Sequence, residues 1–156
     1  MSQDSRKPPQ SSQVLSSSPN PLYPNLQYRR DYPITVIRAI ELYNASGLTR
    51  PVEDVARIQA MYDNSNLVVS VWDEDRLVGV ARSVTDFVYC CYLSDLAVRK
   101  DYQKGGIGKE LIRLTKEIVG EQSNLMLLAV DTAMEYYPKI GMSPIKNGFI
   151  LFRDKN

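Results

Sequence analysis

A strand-like run, a glycine-rich segment and an amphipathic pattern follow one another directly between residues 93 and 118. The apolar run is Leu93–Val98, and residues 103–108 read Gln-Lys-Gly-Gly-Ile-Gly. Apolar side chains then recur on one helix face, at Ile107, Leu111, Leu114 and Ile118. This order predicts layered α and β structure in which glycines join a buried strand to a helix. The unpaired N–H groups at the start of such a helix favour a bound phosphate.

Two common phosphate-binding motifs do not fit this glycine-rich segment. A Walker loop that uses Gly108-Lys109 needs glycine at 103 and serine or threonine at 110, where the chain has Gln103 and Glu110. A dinucleotide fingerprint needs glycine or alanine at 111, where the chain has Leu111. Taken alone, the segment is equally compatible with a tight turn that only connects a strand to a helix.

Composition divides the 156-residue chain into two parts. Residues 1–25 hold seven serines and five prolines with no apolar periodicity, which predicts a disordered tail. Residues 26–156 are long enough for a single folded domain. No apolar run resembles a secretory signal or reaches the length of about 18 residues that a membrane span needs, so we expect no membrane association.

Charge and residue usage restrict the chemistry. Nineteen basic and 18 acidic residues give a net charge of +1, which argues against nucleic-acid binding as the main function. The sequence contains no histidine, so His-dependent triads and His-ligated metals are excluded and no metal site is predicted. Cys90 and Cys91 are adjacent and point to opposite faces of a strand, which disfavours a disulfide and suits a reducing, cytoplasmic location.

Periodicity predicts the element order α-α-β-β-β-α-β-α-β-β. An alternative order adds a small first strand near 26–28. Asn147-Gly148 is a strong hairpin signal between the last two strands. The predicted helices cover 34–46, 51–62, 107–118 and 132–140, and the predicted strands cover 67–72, 77–82, 87–98, 125–130, 142–146 and 149–153.

Two motifs in sequence order resemble those of one enzyme superfamily. Gln103-x-x-Gly106-x-Gly108 resembles the acyl-CoA-binding motif Q/R-x-x-G-x-G/A of the GNAT N-acetyltransferases. Residues 133–142, Ala-Met-Glu-Tyr-Tyr-Pro-Lys-Ile-Gly-Met, are similar to the A-x-x-F-Y-x-K-x-G-F segment of that family. The resemblance covers roughly residues 26–154. It implies an α+β, layered GNAT fold: a mixed central sheet of six to seven strands flanked by about four helices.

The resemblance also implies a function. GNAT enzymes move an acetyl group from acetyl-CoA to a primary amine, here a small amine or a lysine side chain, by direct attack of the amine within a ternary complex. The alternatives are a GNAT-fold sensor or partner module that binds acyl-CoA without turnover, and an α/β domain that binds another phosphorylated ligand. Homodimers are common in the family and are one expectation here.

The same resemblance assigns roles to individual residues. The pyrophosphate of acetyl-CoA is expected over the N–H groups of 104–109, and the pantetheine arm beside the backbone of Leu96 and Val98. Tyr137 matches the family's tyrosine acid near the sulfur. The sequence itself suggests Asp95 as the general base, because a carboxylate in an apolar strand is unusual. Glu41 and Tyr92 are competitors, and a hydrogen-bonded structural carboxylate is the alternative role for Asp95. The full cofactor-binding set is Leu96, Ala97, Val98, Gln103, Lys104, Gly105, Gly106, Ile107, Gly108, Lys109 and Tyr137.

Acidic and aromatic residues suggest a pocket for the acceptor amine. It is expected between the helix pair near 41–65 and the last hairpin. Carboxylates would attract a cationic amine, and tyrosines would line the walls. The candidates are Glu41, Glu53, Asp54 and Asp86, with Tyr43, Tyr62, Tyr89 and Tyr92.

Overall fold

The computed structural model describes residues 13–154. Within them a six-stranded sheet has its strands in chain order, with β1–β5 antiparallel to their neighbours and β6 parallel to β5. This mixed sheet with flanking helices confirms the predicted α+β fold. The strands are β1 Gln13–Leu15, β2 Leu26–Arg30, β3 Leu67–Asp73, β4 Arg76–Thr85, β5 Cys90–Val98 and β6 Asn124–Met126.

The helices are α1 Val36–Ser46, α2 Val55–Asp63, α3 Ile107–Val119 and the short α4 Tyr136–Lys139, with 3₁₀ turns at Lys100–Gly105 and Asp131–Ala133. Thr35 caps the start of α1, because its hydroxyl accepts a hydrogen bond from the N–H of Arg38. Gly47, which has a φ of 80°, follows the last residue of α1 and terminates the helix, as the sequence predicts. No helix among residues 13–154 has both the length and the apolar character to cross a bilayer.

The sheet is covered on both faces. Side chains of α1 and α2 pack with alternate residues of the central strands around Trp72 and Leu42, which are almost completely buried. On α3, Ile107, Leu111 and Leu114 are buried, and this helix contacts β3, β4 and β5. Because β3 and β4 are buried along nearly their whole length, they form the buried centre of the part of the chain that ends at Met126.

Residues 13–25 differ from the predicted disordered tail. Gln13–Leu15 form β1, which pairs with β2 at the edge of the sheet. Asn20 and Tyr23 then make hydrogen bonds to residues near the glycine segment. Serine and proline content gave no sign of this order, because it arises from contacts with residues more than 75 positions later. The remainder of the predicted tail, residues 1–12, lies outside the described residues.

The described chain divides into two compact units, one ending at Met126 and one beginning at Leu127. The predicted strand over 125–130 is reduced to Asn124–Met126, and the predicted helix over 132–140 to a 3₁₀ turn and α4. The predicted hairpin around Asn147-Gly148 is wrong, since residues 142–153 contain no strand. Phe149 and Leu151 are fully exposed, so the segment lacks the burial that stabilises a hairpin.

Candidate active site

Strand β5 has a fully paired edge and a partly paired edge. On one side it pairs with β4 from Cys91 to Val98. On the other side its parallel pairing with β6 covers only Cys90 to Tyr92. Among residues 13–126, no strand continues that pairing beside Leu93–Val98. An extended ligand can therefore bind along this edge as an additional strand does.

The register of β4 and β5 fixes which backbone groups face the partly paired edge. The N–H of Arg99 donates to the Val78 carbonyl at 2.9 Å, and hydrogen-bonded pairs alternate along an antiparallel ladder. Ala97, opposite Val80, therefore directs its backbone groups toward β4, whereas Leu96 and Val98 direct theirs away from it. This is the orientation that the predicted contact of Leu96 and Val98 with a ligand requires. Ala97 instead lies in the core, and its backbone does not face this edge.

The glycine segment lies where β5 leads into α3. Gly106 has a φ of 74° and is the residue that precedes the helix; no side chain caps the helix start. A Cβ at Gly106 would meet no atom within 4 Å, whereas a Cβ at Gly105 would lie 2.6 Å from the ring of Tyr23. The first N–H groups of α3, from Ile107 to Lys109, thus follow directly after a residue that faces open space. Uncapped helical N–H groups carry a partial positive charge suited to a phosphate.

The other predicted residues of this segment divide into two groups. Gln103 is used for structure, because its side-chain amide donates to the carbonyls of Ser46 and Val98 at 3.1 and 2.9 Å. Lys104 and Lys109 are exposed on either side of the helix start. Their ammonium groups make no ion pair within residues 13–154, so both remain available to a phosphate.

Asp95 lies at the centre of a buried polar cluster. Its carboxylate is fully buried and accepts hydrogen bonds from both Arg50 Nε and Arg82 Nε at 2.6 Å. The Tyr43 hydroxyl donates to the same carboxylate at 2.6 Å and lies 2.9 Å from the hydroxyl of Tyr62. The cluster therefore ties α1, α2 and the loop between them to β4 and β5.

The electrostatics of this cluster oppose the predicted role of Asp95 as a base. Burial disfavours the ionised carboxyl, but the hydrogen bond and charge of Arg82, with the charge of Arg50, outweigh burial and hold the pKa of Asp95 below its usual value. Burial raises the pKa of Tyr62 to about 12 and raises that of Tyr43 as well. A carboxylate with a lowered pKa and three short contacts accepts a further proton poorly. The geometry favours a positioning role for Asp95.

Arg50 extends the same cluster to the backbone beside Leu96. Its Nη2 donates to the Ser94 carbonyl at 2.8 Å, and Arg82 Nη2 donates to the Ser94 hydroxyl at 3.0 Å. Ser94 is the extra residue of an irregularity in the β4–β5 pairing, where Arg82 opposes Asp95 and Ser83 opposes Leu93. The two arginines thus hold the bulge that precedes the outward-facing backbone of β5.

Tyr137 belongs to the unit that begins at Leu127. It lies on α4, half-buried, with its ring 5.2 Å from that of Tyr136 in an edge-on arrangement. Burial, followed by the neighbouring Tyr136, raises the pKa of Tyr137. Its hydroxyl consequently stays protonated around neutral pH and is suited to donating a hydrogen bond.

The structure does not bring the predicted acceptor residues into one pocket. Tyr43 and Tyr62 belong to the Asp95 cluster. Asp54 caps α2, and Asp86 accepts hydrogen bonds from the N–H groups of Val88, Tyr89 and Cys90. Glu41, a competitor for the base, lines a cleft of about 360 Å³ that contains three arginines and one other carboxylate; its walls are Arg38, Glu41, Asp75, Arg76, Leu77 and Arg99. This excess of positive charge disfavours a cationic amine. Tyr92 lies on β5 opposite Met126 and remains a candidate base.

Sequence reasoning singled out Asp95 but missed its partners. Arg50 lies 45 residues away, and a loop arginine gives no signal of burial. Arg82 did give a signal, because an arginine in the apolar strand Leu77-Val78-Gly79-Val80-Ala81-Arg82 needs a buried anion as much as Asp95 needs a cation. Pairing the two isolated charges across neighbouring strands would have identified the cluster.

Comparison with known proteins identifies the family. The model of the acetyltransferase (GNAT) family matches residues 34–142, which include β5, the glycine segment and α3. The chain belongs to the GNAT family of acetyltransferases.

Relatives in this family resemble only part of the chain. An uncharacterised ycf52-like N-acetyltransferase of Prochlorococcus marinus is 34% identical over 49% of this chain and 47% of its own length. Histone acetyltransferase TAP1 of Glycine max is 26% identical over 63% of this chain and 48% of its own length. The chain thus spans about half the length of the curated relatives that it matches.

Solved structures agree on the fold. A GNAT-family acetyltransferase of Streptococcus pneumoniae has a TM-score of 0.68 at 22% identity, over 83% of this chain and 99% of that one. An aminoglycoside acetyltransferase from an uncultured soil metagenomic sample has a TM-score of 0.64 at 21% identity, over 85% and 97% of the two chains.

Proposed function

We propose that this protein is an N-acetyltransferase that moves an acetyl group from acetyl-CoA to a primary amine. The observation that carries the proposal is that two binding features follow each other directly along the chain. The edge of β5 beside Leu96 and Val98 carries outward-facing backbone groups, and the uncapped start of α3 follows that strand after one 3₁₀ turn. An extended ligand with a phosphate at one end fits both features.

The cofactor would be held mainly by backbone groups. The N–H groups of Ile107, Gly108 and Lys109 would bind the pyrophosphate, and the open space beside Gly106 lets it approach the main chain. Lys104 and Lys109 would add charge from solvent. The backbone of Leu96 and the N–H of Val98 would pair with the pantetheine arm, since the Val98 carbonyl already accepts a hydrogen bond from Gln103. When bound, acetyl-CoA supplies an activated acetyl thioester.

The protein's own part in the transfer is positioning and proton handling. The acceptor nitrogen forms a bond to the acetyl carbon while the carbon–sulfur bond breaks, so the amine loses a proton and the departing sulfur needs one or a hydrogen bond. We assign the Leu96 N–H to polarising the carbonyl. The match of Tyr137 to the family motif is the basis for assigning its hydroxyl to hydrogen bonding the sulfur. Arg50, Arg82 and Asp95 hold the backbone that presents Leu96. Tyr92 is the remaining candidate for accepting the proton of the amine.

A primary amine is the acceptor class that the relatives support. One relative is named for histones and a structural neighbour for aminoglycosides, and both kinds of substrate carry primary amines. A small amine and a lysine side chain both fit this class.

Ligand-induced stabilisation and thiol release test the proposal in sequence. Acetyl-CoA at 100 times its Kd should stabilise the protein by about 2.7 kcal/mol, read as a rise in Tm. Free thiol should then form when polyamines, arylalkylamines, aminoglycosides and lysine peptides are supplied. If saturating acetyl-CoA does not stabilise the protein, the proposed acetyl-CoA-dependent function is wrong.

The second candidate function is an acyl-CoA-binding module without turnover. The observation that favours it is the state of Asp95, whose contacts make it a poor base. Stabilisation by acetyl-CoA without thiol release, across that panel and in the full-length protein, would select this alternative.

A further inference from the structure

The connection between β1 and β2 reaches the glycine segment. Residues 18–23 of this connection, here called the strap, contact the 3₁₀ turn Lys100–Gly105 and the first turns of α3. The strap is internally folded, because the side-chain oxygen of Asn20 accepts hydrogen bonds from the N–H groups of Leu22 and Tyr23 at 3.1 and 3.3 Å.

All the hydrogen bonds between the strap and this region run in one direction. The Asn20 side-chain amide donates to the Gly105 carbonyl at 2.8 Å, and the Tyr23 hydroxyl donates to the Asp101 carbonyl at 3.1 Å. The N–H of Ser18 donates to a carboxylate oxygen of Glu110 at 2.9 Å. Within residues 13–154, the strap thus occupies acceptors and leaves the N–H groups at the start of α3 unused.

Tyr23 explains why residue 105 is a glycine. A Cβ there would lie 2.6 Å from Cε2 of Tyr23, far inside van der Waals contact. The Tyr23 ring also packs on Tyr102, with ring centroids 4.7 Å apart. The adjacent Gly106 faces open space instead. The strap and an anion would therefore lie on different sides of the same loop, and the strap does not block the loop.

We propose that the strap is a support that holds the glycine loop in its phosphate-binding conformation, with Asn20 and Tyr23 as positioning residues. The proposal rests on the proposed function, because the bound group is the pyrophosphate of CoA. A loop that is already ordered loses less entropy when the ligand binds, so affinity rises without any contact between ligand and strap. The strap also donates a hydrogen bond to the Gly105 carbonyl. An unpaired carbonyl at this point would repel a nearby anion.

The first test measures CoA affinity by calorimetry in full-length variants. Tyr23→Ala and Asn20→Ala should each raise the Kd for CoA about tenfold, the effect of losing one or two net hydrogen bonds and the ring contact. Leu22→Ala is the matched control, since this side chain is 64% exposed in the middle of the strap and should leave Kd unchanged. Tyr23→Phe removes only the hydroxyl and should raise the Kd less than Tyr23→Ala does. Because it keeps the ring, it also tests the proposal if Tyr23→Ala does not fold.

The second test separates loop positioning from general damage. S-acetylpantetheine supplies the same thioester without a pyrophosphate. Tyr23→Ala should lower kcat/KM about tenfold with acetyl-CoA, through KM and with kcat retained, and should leave kcat/KM with S-acetylpantetheine unchanged. Equal losses with both donors would overturn the proposal.

A double-mutant cycle checks the contact itself. Gly105→Ala should weaken CoA binding in the wild-type background by displacing the strap, and should have little effect in the Tyr23→Ala background, where the space is vacant. Additive effects would contradict the proposal, as would unchanged or tighter CoA binding by Tyr23→Ala, which would make the strap irrelevant or inhibitory. If the wild-type protein itself does not bind CoA, the proposed function fails instead.

Discussion

Arg82 and Asp95 face each other across neighbouring strands and are joined by a hydrogen-bonded ion pair of 2.6 Å between Nε and Oδ2. The side chain of Arg82 is 8% exposed and that of Asp95 is fully buried. A pair this deep gains little over an apolar pair of the same size, but either partner alone is a costly buried charge. The pair thus makes the centre of the sheet sensitive to single substitutions at either position.

Asp95→Asn should lower the free energy of unfolding by about 3–5 kcal/mol, because it leaves Arg82 buried without a counter-charge. Urea denaturation measures the change. Asp101→Asn is the control, since Asp101 pairs with Arg76 at the surface and should cost at most about 1 kcal/mol. Equal effects of the two substitutions would show that Asp95 is not a buried ionic partner.

Asp86 should titrate with a pKa of about 2. Three backbone N–H groups, from Cys90, Tyr89 and Val88, donate to its carboxylate and favour the ionised form. Since the pKa is lowered by folding, the resulting stability is present above the unfolded value of 3.8 and is lost as the pH falls through about 2. Carbon-detected NMR of the carboxyl group measures the midpoint. A midpoint near 4 would mean that the 86–90 turn is not held by this side chain.

Gly106→Ala should weaken CoA binding at least tenfold, because the methyl group enters the space where the pyrophosphate approaches and strains a φ of 74°. Gly120→Ala provides the control at the other end of α3. Gly120 also has a positive φ, 87°, and also faces open space. The control should lose at least as much stability yet keep its CoA affinity. If both variants lose affinity alike, strain in the helix is responsible and the phosphate placement is wrong.

Tyr137→Phe should lower kcat about 10²-fold while the Kd for CoA changes little, because the hydroxyl is assigned only to the departing sulfur. The raised pKa of Tyr137 adds a second expectation: its ionisation should not appear in the pH–rate profile below about pH 10. Tyr136→Phe is the control and should retain activity. Steady-state thiol release measures all three proteins, and full activity of Tyr137→Phe would remove this residue from the mechanism.

Sequence patterns predicted the central part of the fold because its determinants are local. Gly47 and Gly120 mark the ends of α1 and α3, and the apolar stripe from Ile107 to Ile118 identifies α3. The β-branched runs of β3 and β4 are unambiguous for the same reason. In these elements the pattern of neighbouring residues is sufficient to predict the backbone conformation.

Patterns failed where the structure depends on distant partners. Gln13–Leu15 become a strand only because β2 offers an edge, and Asn147-Gly148 produces no hairpin because Phe149 and Leu151 are not buried. Of the candidate site, the position of the glycine segment between β5 and α3 could be predicted from the sequence, whereas the binding roles of this segment and of the Leu96 and Val98 backbone stay predictions from the motif. The ion pairs of Asp95 and the strap contact of Gly105 could not, because both join residues far apart in the chain.

Because the two edges of β5 differ, its amide hydrogens should exchange at rates that alternate from one residue to the next. The amide hydrogens of Asp95 and Ala97 point into the ladder with β4 and should exchange with deuterium slowly, whereas those of Leu96 and Val98 should exchange quickly despite their central position. A ligand that lies along the open edge would slow only the fast pair. Slower exchange of the Leu96 and Val98 amide hydrogens, measured by mass spectrometry or NMR, would then report that this edge is occupied.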